Sequence, residues 1–179
     1  MRKISKLDIE ESVKKNRLIF QETLLDKFDR LMIYFCFSAF IFFCSMVIHE
    51  ADFRNSNDKI LSLSFIPLVI LFSFYVIYRK ATEKYLFSIH TSFNQKENRK
   101  ILLNFAADKE LEIYKRGNDC LIFNEPTNDF NPEHKKSMIF IVRDNSVLFT
   151  MIQDRTKMNV PTLTSHLFLK HDLKKLFGK

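Results

Sequence analysis

The residues able to do chemistry are scattered along this chain rather than grouped. The five histidines, His49, His90, His134, His166 and His171, include no pair four positions apart. No HExxH motif, paired cysteines or clustered carboxylates accompany them, so no local metal site is expected and no cofactor is implied. His166 and His171 would point about 140° apart on a helix, and all five read as surface or capping histidines. Cys36, Cys44 and Cys120 show no CxxC spacing, which predicts reduced, apolar packing residues rather than a disulfide framework. Acids such as Asp108, Glu110 and Asp144 have oppositely charged neighbours and read as solvated surface groups.

Glycine supplies the firmest exclusion. Only Gly117 and Gly178 occur, whereas a P-loop, a dinucleotide fingerprint or a GxSxG elbow each needs several glycines where backbone approaches phosphate or turns sharply. A metal-independent HEPN ribonuclease would show Arg, four to six intervening residues and then His, and no Arg here stands at that spacing from a His. The sequence proposes no enzyme.

The elements that must position any site begin with two apolar runs, Leu31 to Ile48 and Ile60 to Tyr78, neither containing Asp, Glu, Lys, Arg or His. At about 1.5 Å per residue, roughly 18 to 20 apolar residues match a hydrocarbon core of about 30 Å. Ten residues of the first run are Leu, Ile, Val or Phe, each contributing about 0.3 to 0.6 kcal/mol to insertion at a helix centre. The runs predict two transmembrane helices. A cleaved signal peptide would be shorter and nearer the start.

The formal charge of +7 is unevenly placed: residues 1–30 carry 8 Lys/Arg against 6 Asp/Glu, the connector 49–59 carries 2 against 3, and residues 79–179 carry 18 against 12. Basic residues are retained on the cytoplasmic side, which places both termini in the cytoplasm and the connector outside. Lys14, Lys15, Arg17, Lys27, Arg30, Arg79, Lys80 and Lys84 are the candidate contacts to lipid head groups. Lipid is favoured over nucleic acid as their partner, because no basic-aromatic recognition motif accompanies the charge.

Residues 1–30 predict an amphipathic helix. Asp8 is its N-cap with Glu11 three positions on, and Ile9, Val13, Phe20, Leu24, Phe28 and Leu31 form one apolar stripe. The helix either runs on into the first span or lies on the membrane surface, and its stripe meets another subunit or the chain's own soluble domain. The polar connector makes the spans, 31–48 and 60–78, an antiparallel hairpin. Helical pattern is expected to continue past Tyr78 through YLFSIHTSF, with a further helix over Lys96 to Lys109. The pattern then alternates: LEIYK and CLIFN flank an Arg116–Asp119 turn, SMIFIVR and SVLFTMIQ flank Asp144-Asn145, and EPTNDFNPEHKK joins the two hairpins as a loop. Ser165 caps a last helix carrying Leu169, Leu173, Leu176 and Phe177. The expected fold is an integral membrane α-helical hairpin (31–78) plus a cytosolic α+β domain (79–179) of helix, four-strand antiparallel meander and helix.

Inside the spans, Ser38, Phe42 and Ser45 share a face of the first helix, and Ser62, Ile66, Val69 and Ser73 share a face of the second. Small and hydroxyl-bearing residues belong where helices meet or where water is. Helix packing and pore lining therefore both fit these faces, although one two-span subunit cannot enclose a pore and a ring of copies would be needed. The absence of charge disfavours proton relay and ion-coupled transport. Pro67 breaks one backbone bond of the second helix, where Ser62 or Ser64 can help satisfy the freed groups.

In size, in its LMIYFCFSAFIFFCSMVI span, in the basic flanks Lys27, Arg30, Arg79 and Lys80, and in its basic soluble half, the chain resembles the small accessory membrane proteins of type VI-B CRISPR systems. That resemblance implies a multi-pass inner-membrane homo-oligomer, a non-enzymatic pore-like protein that reinforces antiviral defence with an RNA-guided RNase. The chain also resembles YcxB-like proteins in LEIYKRGNDCLIFN, the Asp144-Asn145 hairpin and HLFLKHDLKKLF. This second likeness implies a membrane-anchored scaffold or lipid-binding module with a pleckstrin-like domain and no pore.

Overall fold

The computed structural model describes residues 7–50, 59–125, 135–154 and 161–178. In chain order the elements are β1 (Leu7–Asp8), α1 (Ile9–Lys14), β2 (Ile19–Phe20), α2 (Leu24–Glu50), a π-helical turn (Leu61–Phe65), α3 (Ile66–Thr82), β3 (Phe87–His90), α4 (Gln95–Asp108), β4 (Glu112–Arg116), β5 (Cys120–Asn124), β6 (Lys135–Arg143), β7 (Ser146–Asp154) and α5 (Ser165–Leu176). Most of the connector (51–58) and of the loop between β5 and β6 (126–134) lie outside the described residues.

Strands β3, β7, β6, β5 and β4 form, in that spatial order, one antiparallel sheet. The β4–β5 hairpin turns at Gly117, whose amide donates to the Cys120 carbonyl at 3.0 Å. A Cβ at Gly117 would stand 3.1 Å from that same oxygen, closer than a side chain sits comfortably. The β6–β7 hairpin turns at Asp144-Asn145, with Arg143 opposite Ser146. Asn145 takes φ +58, a left-handed angle that asparagine tolerates better than most residues. Both hairpins stand where the alternating pattern put them.

The sheet has five strands, not four. The helix leaving the second apolar run ends at Thr82, and FSIH of the expected helical stretch is β3, paired with β7 from Phe87–Phe149 to His90–Ser146. Period two explains the difference. Ile89 is buried and Phe87 partly so, while Ser88 and His90 are exposed, which suits a strand over a core.

Both faces of the sheet are covered. Leu121, Phe123, Met138, Phe140, Val142, Val147, Phe149 and Met151 pack under α4 and α5 with Leu102, Phe105, Leu169 and Leu173. The alternate residues Cys120, Ile122, Ile139, Ile141, Leu148 and Ile152 meet Leu18, Phe20 and Leu86, with Leu7, Ile9 and Val13 against them. Strands buried on both sides read as continuous apolar runs, as CLIF and MIFIV do here.

The second cover corrects the N-terminal expectation, because residues 1–30 are not one amphipathic helix. Asp8 does cap α1, accepting from the Glu11 amide at 2.9 Å, but α1 ends at Lys14 and Asn16 turns the chain with φ +48. Buried Ser12 fixes that turn: its hydroxyl donates to the Asp8 carbonyl and accepts from the Ile19 amide at 2.8 Å. Phe20 then returns beside Leu7. Leu24, Phe28 and Leu31 belong instead to α2 and are exposed. Thr23 and Asp26 start that helix reciprocally, the Thr23 amide donating to Asp26 Oδ2 at 2.9 Å and the Asp26 amide to Thr23 Oγ1 at 3.2 Å. The sheet domain is therefore assembled from both sides of the helix pair.

Helices α2 and α3 pack antiparallel, with Asp29 opposite Lys80 and Phe37 edge-on to Phe72. Ile33 and Cys44 of α2 and Ile66, Ser73 and Val76 of α3 are buried, whereas the outward side chains are mostly large and apolar. Two helices are thus long and apolar enough to cross a membrane, Leu24–Glu50 and Leu63–Thr82, with 11% of the first one's most apolar stretch buried. Pro67 stands just past the π-helical turn. The wider turn accommodates a ring that would otherwise meet the carbonyl four residues back.

Candidate functional site: the junction below the helix pair

The cations that flank the apolar runs converge where the helix pair meets the sheet. Charged side chains entering a buried junction need partners, since an isolated buried charge costs several kcal/mol. Three acids supply them. Glu22 receives Arg30 through both guanidinium nitrogens, at 3.2 and 3.0 Å, and Lys84 on the same carboxylate. Lys80 lies 3.2 Å from Glu83 and 3.7 Å from Asp29, its own side chain wholly enclosed. The Glu83 carbonyl accepts the Thr150 hydroxyl of β7 at 3.0 Å, and the Leu18 amide donates to the Lys84 carbonyl at 2.8 Å. Lys84 also rests 4.6 Å above the Phe20 ring.

Burial pushes the Glu22 carboxyl up, but Lys84 and Arg30 together outweigh it and hold it below the usual carboxylate range. Burial depresses Lys84, with Glu22 offsetting part of that effect. The lysine is the deeper of the two, so desolvation prevails there and attraction prevails at the acid. The cluster fixes position more than it adds stability.

A second set of contacts joins α3 to the segment before α5. Tyr75 donates to the Leu163 carbonyl at 2.5 Å, and Arg79 donates through Nε and a terminal nitrogen to the Thr162 carbonyl at 3.3 Å each. His166, 6% exposed, stacks on Phe87 with ring centroids 6.0 Å apart. Its Nδ1 and the Thr162 hydroxyl have no hydrogen-bond partner among the described residues. Burial, with Arg79 and Lys170 nearby, pushes the imidazole down to about 4, so it is neutral at pH 7. His166 is thus a core histidine and not the surface residue its spacing suggested, whereas His171 is exposed.

The structure redistributes the expected head-group contacts. Arg79, Lys80 and Lys84 are buried and Arg30 is held by Glu22, so none of the four reaches outward as a free cation. Lys15 pairs with Glu11 on the surface, Arg17 lies 5.7 Å from the Tyr85 ring, and Lys14 and Lys27 are exposed. These cations flank the two long helices, but Glu22 and Asp29, which the N-terminal segment and α2 bring to them, lie far away in sequence from Lys80 and Lys84.

The two hydroxyl-bearing faces also part. Ser73 and Ile66 are buried between the helices, with Val69 at the edge of that contact, and the Ser73 hydroxyl donates to the Val69 carbonyl at 2.8 Å. The side chain of Ser62 lies outside the described residues. Ser38, Phe42 and Ser45 face outward, and Ser45 donates to the Ile41 carbonyl at 2.8 Å. One face serves packing within the pair; the other is left unpartnered by it.

The remaining candidates bring no reactive groups together. Among the described residues no three His, Cys, Asp or Glu side chains come together as a metal site. Cys120 is buried under the sheet and its thiol is pushed up to about 11 by that burial, so it is not a ready nucleophile. An open groove of about 420 Å³ runs between α4 and α5 over Phe105, Met138 and Met151, with Phe168 and the Lys109–Asp172 ion pair among its walls. No family model matches the chain, and no curated protein and no solved structure matches it. The two family resemblances therefore rest on layout alone.

Proposed function

We propose that this chain is a two-span membrane protein that holds an α+β domain against the cytoplasmic face of a bilayer, as an anchored scaffold rather than an enzyme. The observation that carries the reading is the contrast along α2 and α3. Their outer surfaces are almost wholly apolar over the two runs, while the polar side chains below turn inward to Glu22, Asp29 and Glu83. A helix that is apolar on all sides needs an apolar solvent, and the closed cluster beneath it clamps the sheet domain in one orientation. Excess Lys/Arg on the sheet side supports cytoplasmic termini.

The outward Ser38–Phe42–Ser45 face favours a second reading, in which several copies form a ring and these residues meet water or a neighbouring helix. That is the pore the CRISPR-accessory resemblance implies, with its place in the inner membrane and its link to an RNA-guided RNase. The scaffold is preferred because Ser45 and Ser73 both satisfy their hydroxyls on their own helices, and the bulky Phe42 stands between the two outward serines.

Reconstitution separates the two. Purified full-length protein in dye-loaded vesicles is expected to resist alkaline extraction, to run as a small particle and to leave the dye inside. Dye release together with a ring-sized particle would replace the scaffold with the pore.

A further inference from the structure

The beginning of α5 sits higher on the helix pair than its place in the sheet domain requires. Tyr75 lies inside the apolar run that ends at Tyr78, and side chains on a helix lean toward its N-terminus, which for α3 is the apolar end. Tyr75 nonetheless reaches the Leu163 carbonyl, and Arg79 reaches the Thr162 carbonyl. The Thr162–Leu163 backbone therefore runs beside the last apolar turns of α3, not below them.

Helix α5 starts two residues later and turns His166, Leu169 and Leu173 inward. Its outer face opens with Leu167 and Phe168, 53% and 68% exposed, two large apolar side chains in succession. Lys174 and Lys175 follow on the exposed side of the same helix. On α3, Phe74 and Tyr78, one position before Tyr75 and three after it, are also exposed.

We infer that the first turn of α5 is a second membrane contact, with Leu167 and Phe168 entering the boundary between head groups and acyl chains around the cytoplasmic end of α3. The inference rests on the proposal that the helix pair spans a bilayer. Lipid is the occupant because the Tyr75–Leu163 bond brings the start of α5 to the level of the last apolar turns of α3, and because the lysines farther along suit anionic head groups. It assigns lipid contact to a surface that charge counting alone did not single out.

The chain has no tryptophan, so one introduced residue reports its own depth. Full-length Phe168→Trp, Phe42→Trp and Lys96→Trp are reconstituted separately in phosphatidylcholine–phosphatidylglycerol vesicles, without bromine, with bromine on the acyl chains near the head group, and with bromine deep in the chains. Folding of each is checked by circular dichroism. Lys96 is exposed near the start of α4, where Gln95 bonds Asp144 at the far turn of the sheet. An interfacial helix buries its apolar side chains by roughly 5 to 10 Å, so Phe168→Trp should lose about half its emission to the lipid brominated near the head group. Phe42→Trp should be quenched by the deep bromine, and Lys96→Trp by neither. Quenching at Phe42→Trp without quenching at Phe168→Trp overturns the α5 contact and leaves the spanning pair standing. No quenching at Phe42→Trp overturns the spanning pair and the α5 contact with it. Equal quenching at Lys96→Trp overturns the contact as one confined to α5.

Discussion

Tyr75 and Leu163, 88 positions apart, are joined by a 2.5 Å hydrogen bond from the phenol to the backbone carbonyl. The bond ties the second apolar helix to the entrance of the last helix. Together with Glu22 and its two cations on the other side, it makes the sheet domain continuous with the helix pair.

Removing that phenol loosens the entrance of α5. Tyr75→Phe is expected to cost about 1 kcal/mol, the usual net value of one hydrogen bond. The amides of Leu167 and Phe168, which donate to the Thr164 carbonyl at 2.8 and 3.3 Å, should then exchange faster than in the parent. Unchanged exchange there would show that Arg79 alone holds the segment.

Glu22 serves two cations, so its loss should exceed that of a surface ion pair. Glu22→Gln leaves Arg30 and the buried Lys84 without their shared carboxylate and is expected to cost about 2 kcal/mol, read as a lower Tm in detergent. Adding Lys84→Met should restore part of the loss by removing the orphaned charge. A neutral Glu22→Gln would mean that the cluster does not clamp the domain.

Acidification should act first through His166. Its folded pKa of about 4 lies below the ordinary 6.5, so between those values the unfolded chain binds a proton that the folded chain refuses. Stability is complete above about pH 6.5 and falls as pH drops toward 4, by about 2 kcal/mol between pH 7 and 5. Glu22, whose folded pKa is lowered, contributes above its unfolded value of about 4.5 and loses that contribution only below it. Denaturation midpoints of His166→Phe should change less than those of the parent over pH 7 to 5. An equal slope would assign the acid sensitivity elsewhere.

Cys120 offers a test of the second core layer. Its thiol is 1% exposed and pushed up to about 11, so maleimide at pH 8 should leave it unmodified until denaturant opens the sheet. Rapid labelling of Cys120 in the folded protein would mean that the β1–α1–β2 segment does not cover it.

Much of this architecture was legible in the residues. Uncharged runs marked both long helices, and the turn chemistry of Gly117 and Asp144-Asn145 located two hairpins. The N-terminal segment misled because Ile9, Val13 and Phe20 keep helical spacing by coincidence, while the break is set by Asn16 and by Ser12 reaching Ile19. A usable signal was present in CLIF and MIFIV, whose apolar residues on both strand faces require two covers when only one was in view. The junction was harder to read, since Arg79, Lys80 and Lys84 look like head-group ligands until folding returns Glu22 and Asp29 to them. His166 was hidden for the same reason, as its burial comes from Phe87 on a strand that had been expected to be helical.

The helix pair is proposed to cross a bilayer and to leave the sheet domain on the cytoplasmic side. Sidedness of labelling tests it most directly. Single cysteines introduced by Asn55→Cys, between the two apolar runs, and by Asn118→Cys, in the β4–β5 turn, are expressed in bacteria and exposed to a membrane-impermeant maleimide before and after permeabilisation. Asn55→Cys should label in intact cells and Asn118→Cys only after permeabilisation. Labelling of both positions under the same condition would contradict the proposed crossing.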